Sequence, residues 1–272
     1  MTKKGLFFTI FIILLITLSA VLFSCVFCLK NQQVKIIDNS AILIDNSDII
    51  ETAGLKSRQP IFLLNKEQAI ANIEHKYANI KVVQIKTTGL TSIEICVRSR
   101  HKTFYVEDNE KYYILDEDLK VLEIVEDITN TAAPNLIKIN INLNIAENAK
   151  VCDFLGSNSQ KKVIYSLYSS MINVATKKVE DKEVYFDRVD VINTIKQVEI
   201  QNFETFNKLL ITTNYGVLLD VEKPEKDLEK KINICFSTIK MFIQEENNQE
   251  KSGTIKLYYD LDNKLNCVYV AE

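Results

Sequence analysis

Polar residues almost vanish near the start of the chain. Gly5 to Leu29 reads GLFFTIFIILLITLSAVLFSCVFCL, about 25 residues without a charge. At a rise of 1.5 Å per residue this run exceeds the ~30 Å hydrocarbon core of a bilayer, which predicts a transmembrane helix over 5–29 behind a tail of residues 1–4. A cleavable signal would have a shorter apolar region, about 7 to 15 residues, and then a small-x-small site. Here the run continues past every small residue to Lys30. Leu22-Phe23-Ser24-Cys25 places a Leu three before a Cys, as a lipoprotein signal does, but Phe23 is bulky for that pattern. Lys3 and Lys4 flank one side and Lys30 and Lys35 the other, so the positive-inside count barely decides orientation. The short basic tail and the long following portion put the N-terminus in the cytoplasm and the rest outside. No later apolar stretch approaches 18 residues, which predicts a single crossing.

Periodicity then turns amphipathic. VKIIDNSAILIDNSDIIETAGL reads as a strand and a two-turn helix, with Ser47 and Asp48 as helix-start residues and Gly54 as its C-cap. After Gln59-Pro60, Asn65 with Gln68 three residues on resembles a capping box, and Ala69, Ile70, Ile73 and Tyr77 recur at helical spacing. KVVQIK and TSIEICVR follow as a hairpin, with Val83 and Ile85 inward on one strand and Ile93, Ile95 and Val97 on the other. The order β-α-α-β-β over 34–101 implies a small sheet with two helices on one face.

From Thr103 the pattern becomes one of short strands: TFYVED, KYYILD and KVLEIV form a meander with polar turns at Asn109 and at Asp116 to Asp118. Pro134 and the Asn-rich stretch to Asn148 loosen it. Ser157 or Ser159 then caps a helix with Val163, Ile164, Leu167, Met171 and Val174 on one face. EVYFDRV and KQVEIQ read as strands, and LLITT meets VLLDV across Asn214-Tyr215-Gly216. Pro224 starts a second amphipathic helix carrying Leu228, Ile232, Cys235, Phe236, Ile239 and Phe242, and TIKLYYD and KLNCVYV close a last hairpin. The fold class is therefore α+β: a transmembrane helix, a βααββ domain, and over 102–272 a mixed domain of antiparallel strands with two amphipathic helices.

The final strand stands out. Lys264 and Asn266 alternate with Leu265 and Cys267, but Val268-Tyr269-Val270 is apolar on both faces. Either a local element such as the Leu228 to Phe242 helix covers the second face, or the strand is an edge kept open for a partner strand, with Tyr258 and Tyr259 selecting it. If the Val268 N–H faces outward, a Pro there removes a donor that such a partner needs.

Charge and chemistry narrow the function. Removing Lys3, Lys4 and Lys30 from 33 Lys+Arg leaves 30 against 36 Asp+Glu, a net charge of −6 outside the span, which argues against nucleic acid. The two histidines, His75 and His101, belong to no metalloprotease, nucleophile-elbow or P-loop motif, so no catalytic residue, metal, cofactor or small-molecule substrate is expected. Acid runs at Asp116-Glu117-Asp118 and Glu245-Glu246 read as solvated surface. Cys25 and Cys28 fall inside the apolar run and read as filler there, while Cys96, Cys152, Cys235 and Cys267 are either long-range disulfides or buried thiols.

SDIIETAGLKSRQPIFLLNKEQAIANIEHKYANIKVVQIKTTGLTSIEICVRSR, YYILDEDLKVLEI, Pro134-Asn135-Leu136-Ile137 and Gly216-Val217-Leu218-Leu219, taken in that order behind an apolar anchor, resemble the bacterial division proteins FtsQ/DivIB. The resemblance covers nearly the whole chain and implies a POTRA domain followed by a β-domain. It departs where the family has Pro and this chain has Gly89-Leu90, and where the family has Gly in the Asp116 hairpin at Leu119 or Lys120. The resemblance implies a non-enzymatic scaffold of the septum that binds FtsB/DivIC- and FtsL-like single-pass proteins through its C-terminal region. Tyr258, Tyr259, Leu265, Cys267, Val268, Tyr269 and Val270 are then the expected partner-binding residues. An adaptor in another envelope process, sporulation or secretion, is the alternative.

Overall fold

The computed structural model describes residues 3–37, 44–131, 133, 135–141, 143, 145–146, 148–172, 177–179, 182–184, 193–201, 208–244 and 252–271. Pro134, Val174, most of EVYFDRV, the side chain of Phe242 and the Glu245-Glu246 pair lie outside them. The chain divides into two compact units, Met1–Arg100 and His101–Glu272.

Unit 1 opens with helix α1, Lys3–Val26. Its described side chains are Phe8, residues 10–19, Val21 and Val26; Phe8, Leu14 and Ile16 are 65%, 60% and 61% exposed. Among the described residues no helix is long and apolar enough to cross a membrane. The apolar run outlasts the helix: Cys28 bridges to Pro60 and Leu29 is fully buried in the core of unit 1, so these two residues belong to the folded domain. Strands β1 (Asn31–Ile36), β2 (Ile80–Thr87) and β3 (Ser92–Ser99) form a sheet in the order β1-β3-β2, with β1 parallel and β2 antiparallel to β3. Helices α2 (Asn46–Ala53) and α3 (Lys66–Lys76) cover one face through Ile49, Ala53, Ala69 and Ile73, which pack with Ile93, Ile95 and Val97.

Local chemistry explains the helix ends. Gly54 closes α2 at φ 66°, a left-handed value that Gly adopts without a Cβ clash, while the N-cap is Asp45 and not Ser47 or Asp48. Asn65 Oδ1 caps α3 by accepting the Gln68 N–H at 3.0 Å, but the Gln68 side chain turns forward to Asn72 instead of completing the box. The inward assignment of Val83 fails because a bulge between Val82 and Gln84 shifts the register. Val82 is buried, Val83 is 47% exposed, and the Val82 N–H is satisfied at 2.9 Å by Glu74 of α3.

Unit 2 is built on one nine-stranded sheet, ordered β14-β13-β12-β11-β10-β7-β4-β5-β6. Its strands are β4 (Phe104–Asp108), β5 (Lys111–Leu115), β6 (Val121–Val125), β7 (Ile137–Asn140), β10 (Ile195–Gln201), β11 (Lys208–Thr213), β12 (Val217–Glu222), β13 (Gly253–Tyr259) and β14 (Leu265–Ala271); β8 (Lys177–Val179) and β9 (Lys182–Val184) pair separately. The antiparallel expectation needs correcting: β4–β7, β7–β10 and β12–β13 are parallel. Helix α4 (Asn158–Ile172) lies in the connection from β7 to β10 and α5 (Leu228–Gln244) in that from β12 to β13. Parallel neighbours need such crossovers, so the helices that the sequence supplies are also what makes the sheet mixed. Strand β7 falls inside the stretch read as loose. Helix α5 begins at Leu228, four residues after Pro224, because Lys223 and Asp227 at φ 46° and 55° hold a turn before it. Ile164, Leu167, Met171, Ile232, Phe236 and Ile239 fill the core against Val198, Leu209, Ile211, Leu219, Ile255 and Leu257.

The Asp116 turn is also not solvated surface. Asp116 and Glu117 are fully buried; Asp116 Oδ1 accepts the N–H of Asp118 and of Lys120, each at 2.9 Å. The three carboxylates of Asp116, Glu117 and Asp118 lie within 4.8 Å of one another, and Leu119 takes the left-handed φ of 59° in the same turn.

Candidate functional site

All seven candidate residues lie on the β13–β14 hairpin, and β14 is the terminal strand of its sheet. The hairpin tip is a type I turn with a left-handed residue after it: Asn263 N–H bonds to Asp260 O at 3.0 Å, Asn263 has φ 62°, and Asp260 N–H returns to Lys264 O at 3.0 Å. Asp260 fixes the tip, its carboxylate accepting Asp262 N–H, Lys264 N–H and the Asn266 side-chain amide. Those donors hold its acidity above that of an ordinary aspartate, the Lys264 amide foremost.

Register then decides which way each backbone group points. In an antiparallel pair, opposed residues alternate between exchanging hydrogen bonds and not. Counting from Asp260–Lys264, the bonded pairs are Tyr258–Asn266, Lys256–Val268 and Thr254–Val270. The Val268 N–H therefore faces β13, and a Pro there breaks the hairpin itself. The outward backbone groups belong to Leu265, Cys267, Tyr269 and Ala271.

Side chains divide the same way. Leu265 and Tyr269 pack on the unit 2 core, and Cys267, though exposed, has its Sγ 3.9 Å from Thr238 Oγ1 on α5. Tyr269 also lies across Gly253, where a Cβ would come within 2.7 Å of its ring, and its hydroxyl donates to Ser252 O at 3.1 Å. Val268 and Val270 point to the opposite face and stay 42% and 45% exposed. Packing on the core thus accounts for Tyr269 and not for the two valines. Thr254, Lys256 and Tyr258 share the valines' face, because Ile255 and Leu257 point into the core. Across the sheet the half-buried Leu218 and Leu210 continue it, opposite Thr254 and Asp220. Sequence reasoning missed these two leucines; the signal was present in VLLDV and LLITT, which are apolar at consecutive positions.

Tyr259 has an intramolecular role. Its hydroxyl donates to Asp227 Oδ2 at 2.6 Å, and its ring is flanked by Lys226 and Lys231 ammonium groups 4.0 and 4.7 Å from the centroid. The hydrogen bond to Asp227 pushes the phenol up to about 12 and draws the Asp227 carboxyl down. Lys231, fully buried, donates to Glu222 O and Lys223 O at 2.7 Å each, and burial lowers its basicity. This cluster ties the hairpin tip to the start of α5. Among the described residues Cys28, Cys96, Cys152, Cys235 and Cys267 are free thiols, and burial pushes Cys235 and Cys267 up, away from the reactive thiolate.

No protein-family profile matches the chain. Two curated relatives do. It is 36% identical over 98 residues, 36% of this chain and 37% of the relative, to the cell division protein DivIB of Clostridium acetobutylicum. It is 27% identical over 234 residues, 86% of this chain and 77% of the relative, to the cell division protein DivIB of Clostridium tetani. The first match thus spans little more than a third of that relative's length and the second about three quarters. Two relatives of one name, one of them aligned across both units, agree with the order of motifs read from the residues, and together they support a place in the FtsQ/DivIB family.

Proposed function

We propose that this chain is a single-pass membrane scaffold of the bacterial division machinery, that it performs no catalysis, and that it captures FtsB/DivIC- and FtsL-like partners by adding a partner strand to β14. The observation that carries the proposal is a strand that ends its sheet among the described residues, whose outward N–H and C=O groups at Leu265, Cys267 and Ala271 run beside the exposed Val268 and Val270. Main-chain bonds to such an edge give affinity, and the apolar face beside it gives selectivity. The relatives' names supply the process.

Support for the anchor is the uncharged run from Gly5 to Leu29, helical to Val26, together with the exposure of its large apolar side chains. In water such exposure costs about 25 cal/mol per Å² of apolar surface, whereas a bilayer removes the cost. The extracytoplasmic portion then works at the septum. A fluorescent fusion to the full chain tests the process: gathering at midcell in dividing cells is expected, and uniform membrane fluorescence throughout division contradicts it.

A further inference from the structure

The folded part of unit 1 starts at the very end of α1. The helix stops at Val26, and Phe27 O already accepts the Ile61 N–H at 2.9 Å. Leu29 N–H bonds to Gln59 O and Arg58 N–H to Leu29 O, both at 2.8 Å. On the next residues, Lys30 N–H and Asn31 N–H reach Thr91 O at 2.8 and 3.1 Å. Two loops are therefore clamped to the helix exit: the 3-10 turn Ile61–Leu63 and the β2–β3 turn over 88–91.

Both loops present large apolar side chains outward. Phe62, Leu63 and Leu90 are 56%, 63% and 64% exposed, while the flanking Ile61 and Leu64 turn in against the unit 1 core. The turn thus uses half of its Ile-Phe-Leu-Leu run for packing and leaves the other half in solvent. Charge near the exit also differs from that of the rest. Segments 27–31, 56–67 and 88–91 carry Lys30, Lys56, Arg58 and Lys66 against one acid, Glu67, in a chain that is otherwise net acidic. Lys30, Lys56 and Arg58 are exposed.

We propose that Phe62, Leu63 and Leu90 form a membrane-contacting patch, inserting into the interfacial layer of the same bilayer that α1 spans and holding unit 1 against the lipid. The inference rests on the anchor reading of α1. With no residue between the helix end at Val26 and the first clamp at Phe27, no linker can lift these loops away from the interface. Apolar side chains enter the boundary between headgroups and acyl chains, and lysine and arginine stems lie along it with their charges at the phosphates. A lipid surface fits this mixture of apolar tips and a basic rim better than an apolar protein groove does.

The chain contains no tryptophan, so a single introduced Trp reports its own surroundings. Leu14→Trp, Phe62→Trp and Leu90→Trp would each be made in the full chain and placed in nanodiscs of mixed zwitterionic and anionic phospholipid, with acyl chains brominated near the headgroup or near the chain end. The exposure of positions 62 and 90 makes these substitutions compatible with the fold. Trp at 14 should be quenched most by the deep bromine. Trp at 62 and at 90 should emit to the blue of water-exposed Trp and be quenched most by the shallow bromine, as expected for insertion of ~5–10 Å at the boundary. Quenching at 14 with water-like, unquenched emission at 62 or 90 overturns the patch and leaves the anchor standing. Absence of quenching at 14 overturns both.

Discussion

Replacing Glu74 with Ala removes a carboxylate that serves two elements at once. Its Oε2 lies 3.0 Å from Arg100 Nη2, and its Oε1 accepts the Val82 N–H at the β2 bulge. Arg100 also donates through Nε to Ile80 O at 2.9 Å, and its side chain is 1% exposed against 13% for Glu74. Water therefore screens little of this pair. Removing one partner of a buried ion pair costs about 3–5 kcal/mol, and stranding a buried amide donor costs about 1–3 kcal/mol; the two overlap because one side chain supplies both. A loss of about 3–5 kcal/mol lowers amide protection in β2 and β3 roughly a hundred- to several-thousand-fold, which native-state hydrogen exchange reads residue by residue. Glu74→Gln retains an acceptor for Val82 and should fall between wild type and Glu74→Ala. In the double variant Glu74→Gln/Arg100→Met the buried charge is gone and much of the loss should be recovered. Protection in Glu74→Ala within about threefold of wild type would refute the reasoning, because a difference under ~1 kcal/mol is that of an exposed pair.

Leu119→Gly sets two effects against each other: relief of a left-handed φ of 59°, roughly 1–2 kcal/mol, against loss of a fully buried side chain, about 2–5 kcal/mol. The variant should melt lower, and a higher melting temperature would show that the side chain packs little. Gly253→Ala places a Cβ 2.7 Å from both the Tyr269 ring and Val270 O, and should destabilise unit 2 by about 1–3 kcal/mol in urea titration. Tyr259 is favoured in its protonated form by the fold, so its bond to Asp227 contributes fully below its ordinary value of 10.0 and is lost as pH rises to about 12. Wild type should accordingly lose more stability across that window than Tyr259→Phe, and equal losses would contradict the assignment.

How much was legible in the residues follows from how local each feature is. Gly54, the Asn65 cap and the Asn214-Tyr215-Gly216 turn are short-range devices, and the structure has each where the sequence puts it. Features that depend on distant partners were not readable. The Val82 bulge exists because Glu74, eight residues away, satisfies an amide that the ladder leaves out. Strand β7 shows alternation, Ile137 and Ile139 inward with Lys138 and Asn140 between, but the asparagines around it carry a loop signature that outweighed four residues of pattern. Parallel pairing of β12 with β13 depends on where α5 returns the chain, which no window of sequence reports. At the candidate site, the doubly apolar Val268-Tyr269-Val270 was visible in sequence. The direction of each N–H was not, because it follows from the turn at Asp260, and neither was the engagement of Tyr259 by Asp227.

The central claim is that β14 takes a partner strand through its outward backbone groups, and Cys267→Pro tests it most directly. The Cys267 N–H faces away from β13, so proline, which lacks that donor, is compatible with an edge position while removing one bond that an added strand requires. The full chain in nanodiscs would be titrated with the ectodomain of an FtsB/DivIC-like partner, with circular dichroism to confirm that the variant folds as wild type does. Loss of affinity by about tenfold or more in a folded Cys267→Pro chain, and complete loss on deleting 267–272, is the predicted result. Undiminished affinity in either folded variant would contradict capture through this edge.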